Sequence, residues 1–275
     1  TPIKSSAASD VYKRQLYGIP SLNMTARDFF MTTNFAYSRK SDAWLYVLPK
    51  RVASPELSMF CSHLLGELET RRNQMEDPYT FRGIREYTYG DTYGKINWKA
   101  TAKASKLMVN MYGYTSEQRV RILLNLETNI MVKTEYLQEM SIRMAGTIAE
   151  YFLQHKVSVE LVSNGIDCMT GACERVEAGM SMEHGETIDK YLARIKENAG
   201  IDAFMQMVDT EIQQMEEPIT YVIISPYYKE DLLLKLDYMH KKHPELHMVV
   251  PYYDIQDKTG WRGYMQGVEV KWNEI

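Results

Sequence analysis

The chain has 275 residues, 45% of them hydrophobic and 25% charged, which suits a soluble globular protein of one large or two small domains. A net charge of −4 argues against nucleic acid or an anionic membrane as the main partner, and three cysteines, an odd number, suit reduced thiols better than a disulfide framework. No run reaches the ~18 apolar residues of a membrane span, no signal peptide is visible, and the 18 methionines read as core padding.

Residues 1–15 form a tail. Within it Ser5 to Gln15, SSAASDVYKRQ, resembles translated linker text, with a native flexible tail as the alternative. Residues 16–82 make a β-rich region plus one helix. From Leu16 to Lys50 short apolar runs alternate with turn residues, which predicts three or four strands, the last carrying Trp44, Tyr46 and Leu48 before Pro49. Ser54-Pro55-Glu56 then supplies an N-cap, a proline at the first helical position and an acid in the first turn. Leu57, Phe60, Leu64 and Leu68 continue that helix to about Arg72.

Residues 83–118 hold the most distinctive text of the chain, part of the run RGIREYTYGDTYGKINWKATAKASKLMVNMY from Arg82 to Tyr112. Gly83 to Tyr87 reads as a strand, and Tyr89-Gly90-Asp91 as a turn. Asn97 reads as the N-cap of a short helix over Trp98 to Ala104, and the alternation of Leu107, Val109 and Met111 as a second strand. Arg85, Glu86, Asp91 and Lys99 are candidate acid/base groups, but no nucleophile stands beside a base. The better expectation is a charge-paired junction, with Trp98 buried as its anchor.

Gly83, Arg85, Glu86, Tyr87, Gly90 and Asp91, followed by Ile96, Asn97, Trp98, Lys99, Ala102, Lys103, Leu107 and Val109, resemble the signature of the bacterial family called domain of unknown function fifty-eight. The resemblance implies a partial β-sandwich-like region followed by a von Willebrand A-like α/β domain. It also implies an N-terminally truncated piece with an open sheet edge near Leu16. Members are commonly tethered on the cytoplasmic side of a membrane and are associated with AAA+ ATPases of the MoxR type. The expected function is therefore a non-catalytic scaffold whose partner is such an ATPase, with no cofactor.

Residues 119–275 read as alternating strands and helices. Strands are predicted at Val120 to Leu126, Val157 to Leu161, Ile219 to Ile224 and Leu246 to Val250, with an edge strand at Val268 to Trp272. Helices are predicted over Lys133 to His155, around Ile188 to Ile195, around Phe204 to Met215, and around Leu232 to Met239. This pattern predicts a mostly parallel, Rossmann-like sheet covered by helices on both faces.

Ligands of such sheets bind beyond the carboxyl ends of the strands. The resemblance places a metal-ligand loop at Asn125-Leu126-Glu127-Thr128-Asn129, with a further position at Ser225-Pro226. Asn125, Glu127 and Asn129 stand where Asp, Ser and Ser are usual, and Ser225-Pro226 where Ser-Asp is common, so a degenerate site that binds no metal is expected. The loops Asn125 to Val132 and Met180 to Glu186 are the expected interaction surface. Cys168 and Cys173, with Glu183 and His184 downstream, have loose zinc-ligand spacing; reduced loop thiols are the better reading. His240, His243 and His247 are separated by Pro244 and read as surface residues at a helix end. Two rival functions stay open. One is a divalent-metal-dependent hydrolase using the signature carboxylates. The other is a peptide- or envelope-polymer-binding module using Tyr227, Tyr228, Tyr252 and Tyr253.

Overall fold

The structure is a computed structural model and describes residues 14–30, 32–74, 76–114, 118–127, 134–196, 202–214, 219–252 and 261–269. It opens with one long antiparallel hairpin, β1 (Gln15–Arg27) and β2 (Asn34–Val47), where the sequence predicts three or four shorter strands. The chain reverses once, at Asp28, whose carboxylate accepts from the backbone N–H of Thr32 at 2.7 Å and of Thr33 at 3.1 Å. The polar stretch around Arg39 and Lys40, which resembles a break, stays extended by pairing with Ser21 and Leu22. A register irregularity falls between Ile19 and Ser21, at Pro20, which has no N–H to give the ladder.

The base of the hairpin is fastened to the rest of the chain. Leu16 is buried, and Arg14 donates to Glu139 at 2.8 Å and to the carbonyls of Leu192 and Ile195. Arg14 and Gln15 thus belong to the folded structure, while residues 1–13 lie outside the described residues. Further along, Arg51 grips Asp189 with two hydrogen bonds of 2.8 and 2.7 Å and also donates to Glu150.

Helix α1 (Pro55–Gln74) starts where the sequence predicts, with Ser54 Oγ accepting from Leu57 N at 3.3 Å. Leu57, Cys61, Leu64 and Leu68 bury one stripe of it. That stripe enters the core of the α/β body, so α1 packs with the C-terminal part of the chain rather than with the hairpin. Next come β3 (Glu76–Glu86), α2 (Trp98–Ala104) and β4 (Met108–Tyr114), with β3 and β4 antiparallel.

The body is a six-stranded, mostly parallel sheet. Its elements in chain order are β5 (Arg119–Leu124), α3 (Thr134–Gln154), β6 (Ser158–Ser163), the short β7 (Ile166–Asp167) and β8 (Arg175–Gly179). Then follow α4 (Met182–Arg194), the short β9 (Ile195–Lys196), α5 (Ala203–Gln213) and β10 (Ile219–Ile224). Last come α6 (Glu230–Lys242), β11 (Leu246–Tyr252) and β12 (Met265–Glu269). The strand order is β12-β11-β10-β5-β6-β8, parallel throughout except for β8. The edge strand β12 begins earlier than predicted, and β8 was not legible because of its five residues only Val176 is buried.

Side chains alternate across the sheet. Val120, Ile122, Leu124, Val222 and Ile224 meet α1, α3 and α4 on one face, while Leu123, Tyr221 and Ile223 meet α5 and α6 on the other. Helix α3 carries Met140, Met144, Ile148 and Phe152 into the first core and ends at Lys156, whose φ of 58° returns Val157 N to Phe152 O at 3.0 Å. Each fully buried apolar side chain of this kind contributes about 1.5–3 kcal/mol. One polar group sits inside the second face. Arg121 bonds Glu160 at 2.8 Å and Glu211 at 2.5 Å, and Arg175 reaches the same two carboxylates, closing a charge-balanced ring. Among the described residues, no helix is long and apolar enough to cross a membrane.

Candidate functional site

The chain leaves β5 toward β6 on one side and β10 toward β11 on the other, so the carboxyl ends of β5 and β10 flank the point where strand order reverses. This is where open α/β sheets form a ligand crevice. The sheet delivers Asn125, Asn164 and Ser225 to it, each buried. Asn125 Nδ2 donates to Ser225 Oγ at 2.9 Å, while Asn125 Oδ1 accepts from Asn164 Nδ2 at 3.2 Å and from Glu127 N at 3.0 Å. Asn164 Oδ1 takes the N–H of Leu126 at 2.7 Å. Ser225 Oγ donates to Tyr227 O at 2.8 Å and accepts from Tyr227 N at 3.1 Å. Gly165 is required beside them, since a Cβ there would stand 2.7 Å from Leu126 Cδ1 and 3.0 Å from Lys196 O.

Glu127 is the carboxylate of this network. Its Oε1 accepts from Phe204 N, in the first turn of α5, at 2.6 Å. Burial raises its pKa above the ordinary carboxylate value, and the charges of Asp202 and Asp231 push the same way. Gln138 of α3 holds the loop from below, donating to Glu127 O at 2.8 Å. The chemistry of this set is plain. Asn125 and Ser225 are neutral, their lone pairs and protons are spent on each other and on the backbone, and Ser225 donates to a carbonyl rather than to a base. The set fits a closed polar clasp better than the oxygen cage of a hard divalent ion or an activated nucleophile. Asn129, the remaining predicted position, lies outside the described residues.

The signature residues come together at a different place. Asp91 receives both guanidinium nitrogens of Arg85, at 2.7 and 2.6 Å, plus the N–H of Thr88 at 2.8 Å, and these bonds hold its carboxyl well below the usual carboxylate range. Gly90, at φ 111°, makes the turn between them. Glu86 pairs with Lys106 at 2.9 Å, and Tyr87 stacks on Tyr93. Asn97 caps α2 as predicted, accepting from Ala100 N at 2.9 Å. The predicted anchor does not hold: Trp98 is 69% exposed, because α2 is a two-turn helix with no buried residue. From Arg82 to Tyr112 only Ile96 and Val109 are buried, and Lys99 points to solvent with Trp98.

Other predicted clusters separate or reform. His184 Nε2 bonds Val159 O at 2.8 Å at the start of β6, whereas Cys173 Sγ bonds Asn164 O beyond its end, so the thiols and His184 do not share a site. The same antiparallel turn of β8 puts Met180 to Glu186 at the opposite end of the sheet from Asn125, so the two predicted interaction loops do not form one surface. Residues 128–132 of the first loop lie outside the described residues. Tyr228 and Tyr252 pack edge-on against Trp261 and Tyr227 bonds Asp231, so they do not stand out as an exposed aromatic row; Tyr253 lies outside the described residues. His243 is buried against Tyr221 instead of lying on the surface, and His240 and His247 line one cavity. Among the described residues, no three His, Cys, Asp or Glu side chains stand placed to hold a metal ion.

Sequence reasoning missed Asn164 and Gln138, which hold the clasp, and the buried ring of Arg121, Glu160, Arg175 and Glu211. An Asn-Gly pair ending a buried strand was the signal available for Asn164. Charged residues at alternate positions of apolar strands were the signal for Arg121 and Glu160. No family model matches this chain, and no curated protein sequence matches it.

Proposed function

We propose that the chain is a non-catalytic protein-interaction scaffold of the domain of unknown function fifty-eight type. Its α/β body is read as a von Willebrand A-like domain whose metal position has become a polar clasp. Its docking element is the β3–α2–β4 module, and its partner a MoxR-type AAA+ ATPase at the cytoplasmic face of a membrane. The observation that carries this reading is the surface of the module. Between Arg82 and Tyr112 six basic side chains stand against two acidic ones, in a chain whose net charge is −4. Beside them Trp98 and Tyr93, the latter 75% exposed, face solvent. Aromatic residues set among cations are what a protein interface uses for anchoring and steering, and they suit an acidic partner surface. The clasp at the strand ends adds support, because its groups are engaged with one another.

The test is binding of the purified ATPase to the whole chain, measured at increasing salt. Lys99→Glu with Lys103→Glu, both at exposed positions, should weaken binding at least about tenfold, and the wild-type affinity should fall with salt. Binding that ignores both the charge reversal and the salt overturns the docking element. Absence of binding to the ATPase, with retention on anionic vesicles instead, overturns the partner.

A further inference from the structure

The outer half of the β1–β2 hairpin is an arm with one apolar side. Residues paired across a ladder project to the same side, and neighbours along a strand to opposite sides. Leu22 pairs with Arg39, Met24 with Tyr37 and Ala26 with Phe35, so these six share a side. The pairs between them, Ser21 with Lys40, Asn23 with Ser38, Thr25 with Ala36 and Arg27 with Asn34, make the other side polar. Along β1 the apolar side begins at Leu16, which the body buries. Among the described residues from 21 to 40 none is buried, so the body covers the base of the arm and leaves the rest bare.

A two-stranded ribbon standing alone is marginal in water; further strands or a packed face stabilise it. Leu22, Met24, Phe35 and Tyr37, with Phe29 and Phe30 at the reversal, are 53 to 94% exposed. Together side chains of this size expose roughly 800 Å², more than the largest apolar patch of a typical monomer and about one partner's share of a standard interface. Capture by an anionic lipid surface needs a basic cluster beside the apolar tip. Here Arg27 is followed by Asp28, and Arg39 and Lys40 project to opposite sides of the ribbon, so no such cluster forms.

We propose that the arm packs on the arm of a second copy of this chain, apolar side to apolar side, as a four-stranded sandwich about a two-fold axis. The area matches what a stable pair needs, and the surface is complementary to itself. Charge sets the direction. Arg39 is the one charged residue of the six that share the apolar side. With the tips together, the two Arg39 guanidinium groups would meet in the contact. With tip set to base and the axis at the Thr25–Ala36 pair, Arg39 of each copy comes level with Asp28 of the other, because Arg39 lies as far from Ala36 as Asp28 does from Thr25.

The test is sedimentation equilibrium of the whole chain over a concentration series, where a dimer should predominate above about 10 μM. Met24→Lys with Phe35→Lys, both at exposed positions, should leave a monomer whose helical circular dichroism is unchanged. Arg39→Asp, which sets like charges against each other, should weaken pairing about tenfold or more, and Arg39→Lys should keep most of it. A monomer at every concentration up to about 100 μM overturns the proposal, as does a dimer that survives the two lysines. An Arg39→Asp dimer as tight as the wild type overturns the tip-to-base pairing. A chain that stays monomeric but floats with neutral phosphatidylcholine vesicles, and no longer floats in Phe29→Ser with Phe30→Ser, assigns the arm to a bilayer instead and overturns the second copy.

Discussion

The α/β body and the β3–α2–β4 module use their residues in opposite ways. The body turns nearly every side chain of β5 and β10 inward and closes two of its polar groups on themselves, the Arg121–Glu211 ring and the Asn125–Ser225 clasp. From Arg82 to Tyr112 the module buries two side chains and presents Trp98, Tyr89, Tyr93 and most of its lysines to solvent. A body so packed resists change and positions things; an outward, basic, aromatic module has the surface that the proposed docking role needs. Stability should therefore depend on the first and binding on the second.

The sharpest way to break that comparison is to strike the body. Glu211→Ala leaves Arg121 and Arg175 without one of their two carboxylates and should cost about 3–5 kcal/mol by denaturant unfolding. Phe152→Ala, a cavity under α3, should cost about the same. Trp98→Ala should leave the unfolding midpoint unchanged. If Trp98→Ala destabilises as much as Phe152→Ala, the module is part of the core and the contrast fails.

Thiol labelling reads the same difference without mutation. Cys61 is buried on α1, and burial pushes its thiol up to about 12, while Cys168 and Cys173 are exposed. A maleimide should take two thiols quickly in the native chain and the third only on unfolding. Rapid labelling of all three would show α1 detached from the sheet.

Acid sharpens the picture within the module. The Asp91 carboxyl is held low by Arg85 and Thr88, so its ion pair supports the turn above the ordinary unfolded value of ~3.9. That support is lost as pH falls through the lower folded value. Protection of the turn from Arg85 to Asp91, measured as exchange relative to the intrinsic rate at each pH, should persist below the ordinary carboxylate value of about 3.9. In Asp91→Asn the turn should exchange faster wherever the native carboxylate is charged, a difference that closes as pH falls through the folded value, with no change in global unfolding.

The smallest effect belongs to Glu127, whose sign is opposite. Its pKa is raised, so the folded state holds a proton more tightly. The charged form then costs stability, increasingly as pH rises from about 4.3 through the folded value. Glu127→Gln keeps an oxygen for Phe204 N and should be neutral or slightly stabilising at pH 7, with a flatter pH profile above the ordinary carboxylate value of about 4.3. A marked loss of stability at pH 7 would mean the charge itself holds α5.

How far the sequence disclosed all this follows from burial. Strands buried on both faces are nearly continuous apolar runs: Ile219 to Ile224 is found at its true bounds, and β5, β6 and β11 within two residues at each end. The Asn97 cap is equally local, one side chain reaching one amide three residues on. The hairpin from Gln15 to Val47 is exposed along most of both faces, and its polar middle resembles a loop. Trp98 misled because an indole in a short helix implies an anchor only where something covers it. The clasp was half visible: Asn125 and Ser225 stand at strand ends, but Asn164 joins them only through sheet order.

The central claim, that the Arg82–Tyr112 module is the docking element, is tested most directly by hydrogen exchange of the whole chain with and without the ATPase. The account predicts new protection confined to peptides from Arg82 to Tyr112, with the sheet amides unchanged. Protection gained instead at Asn125 to Glu127 and Ser225 to Tyr227, with the module still exchanging freely, would contradict it.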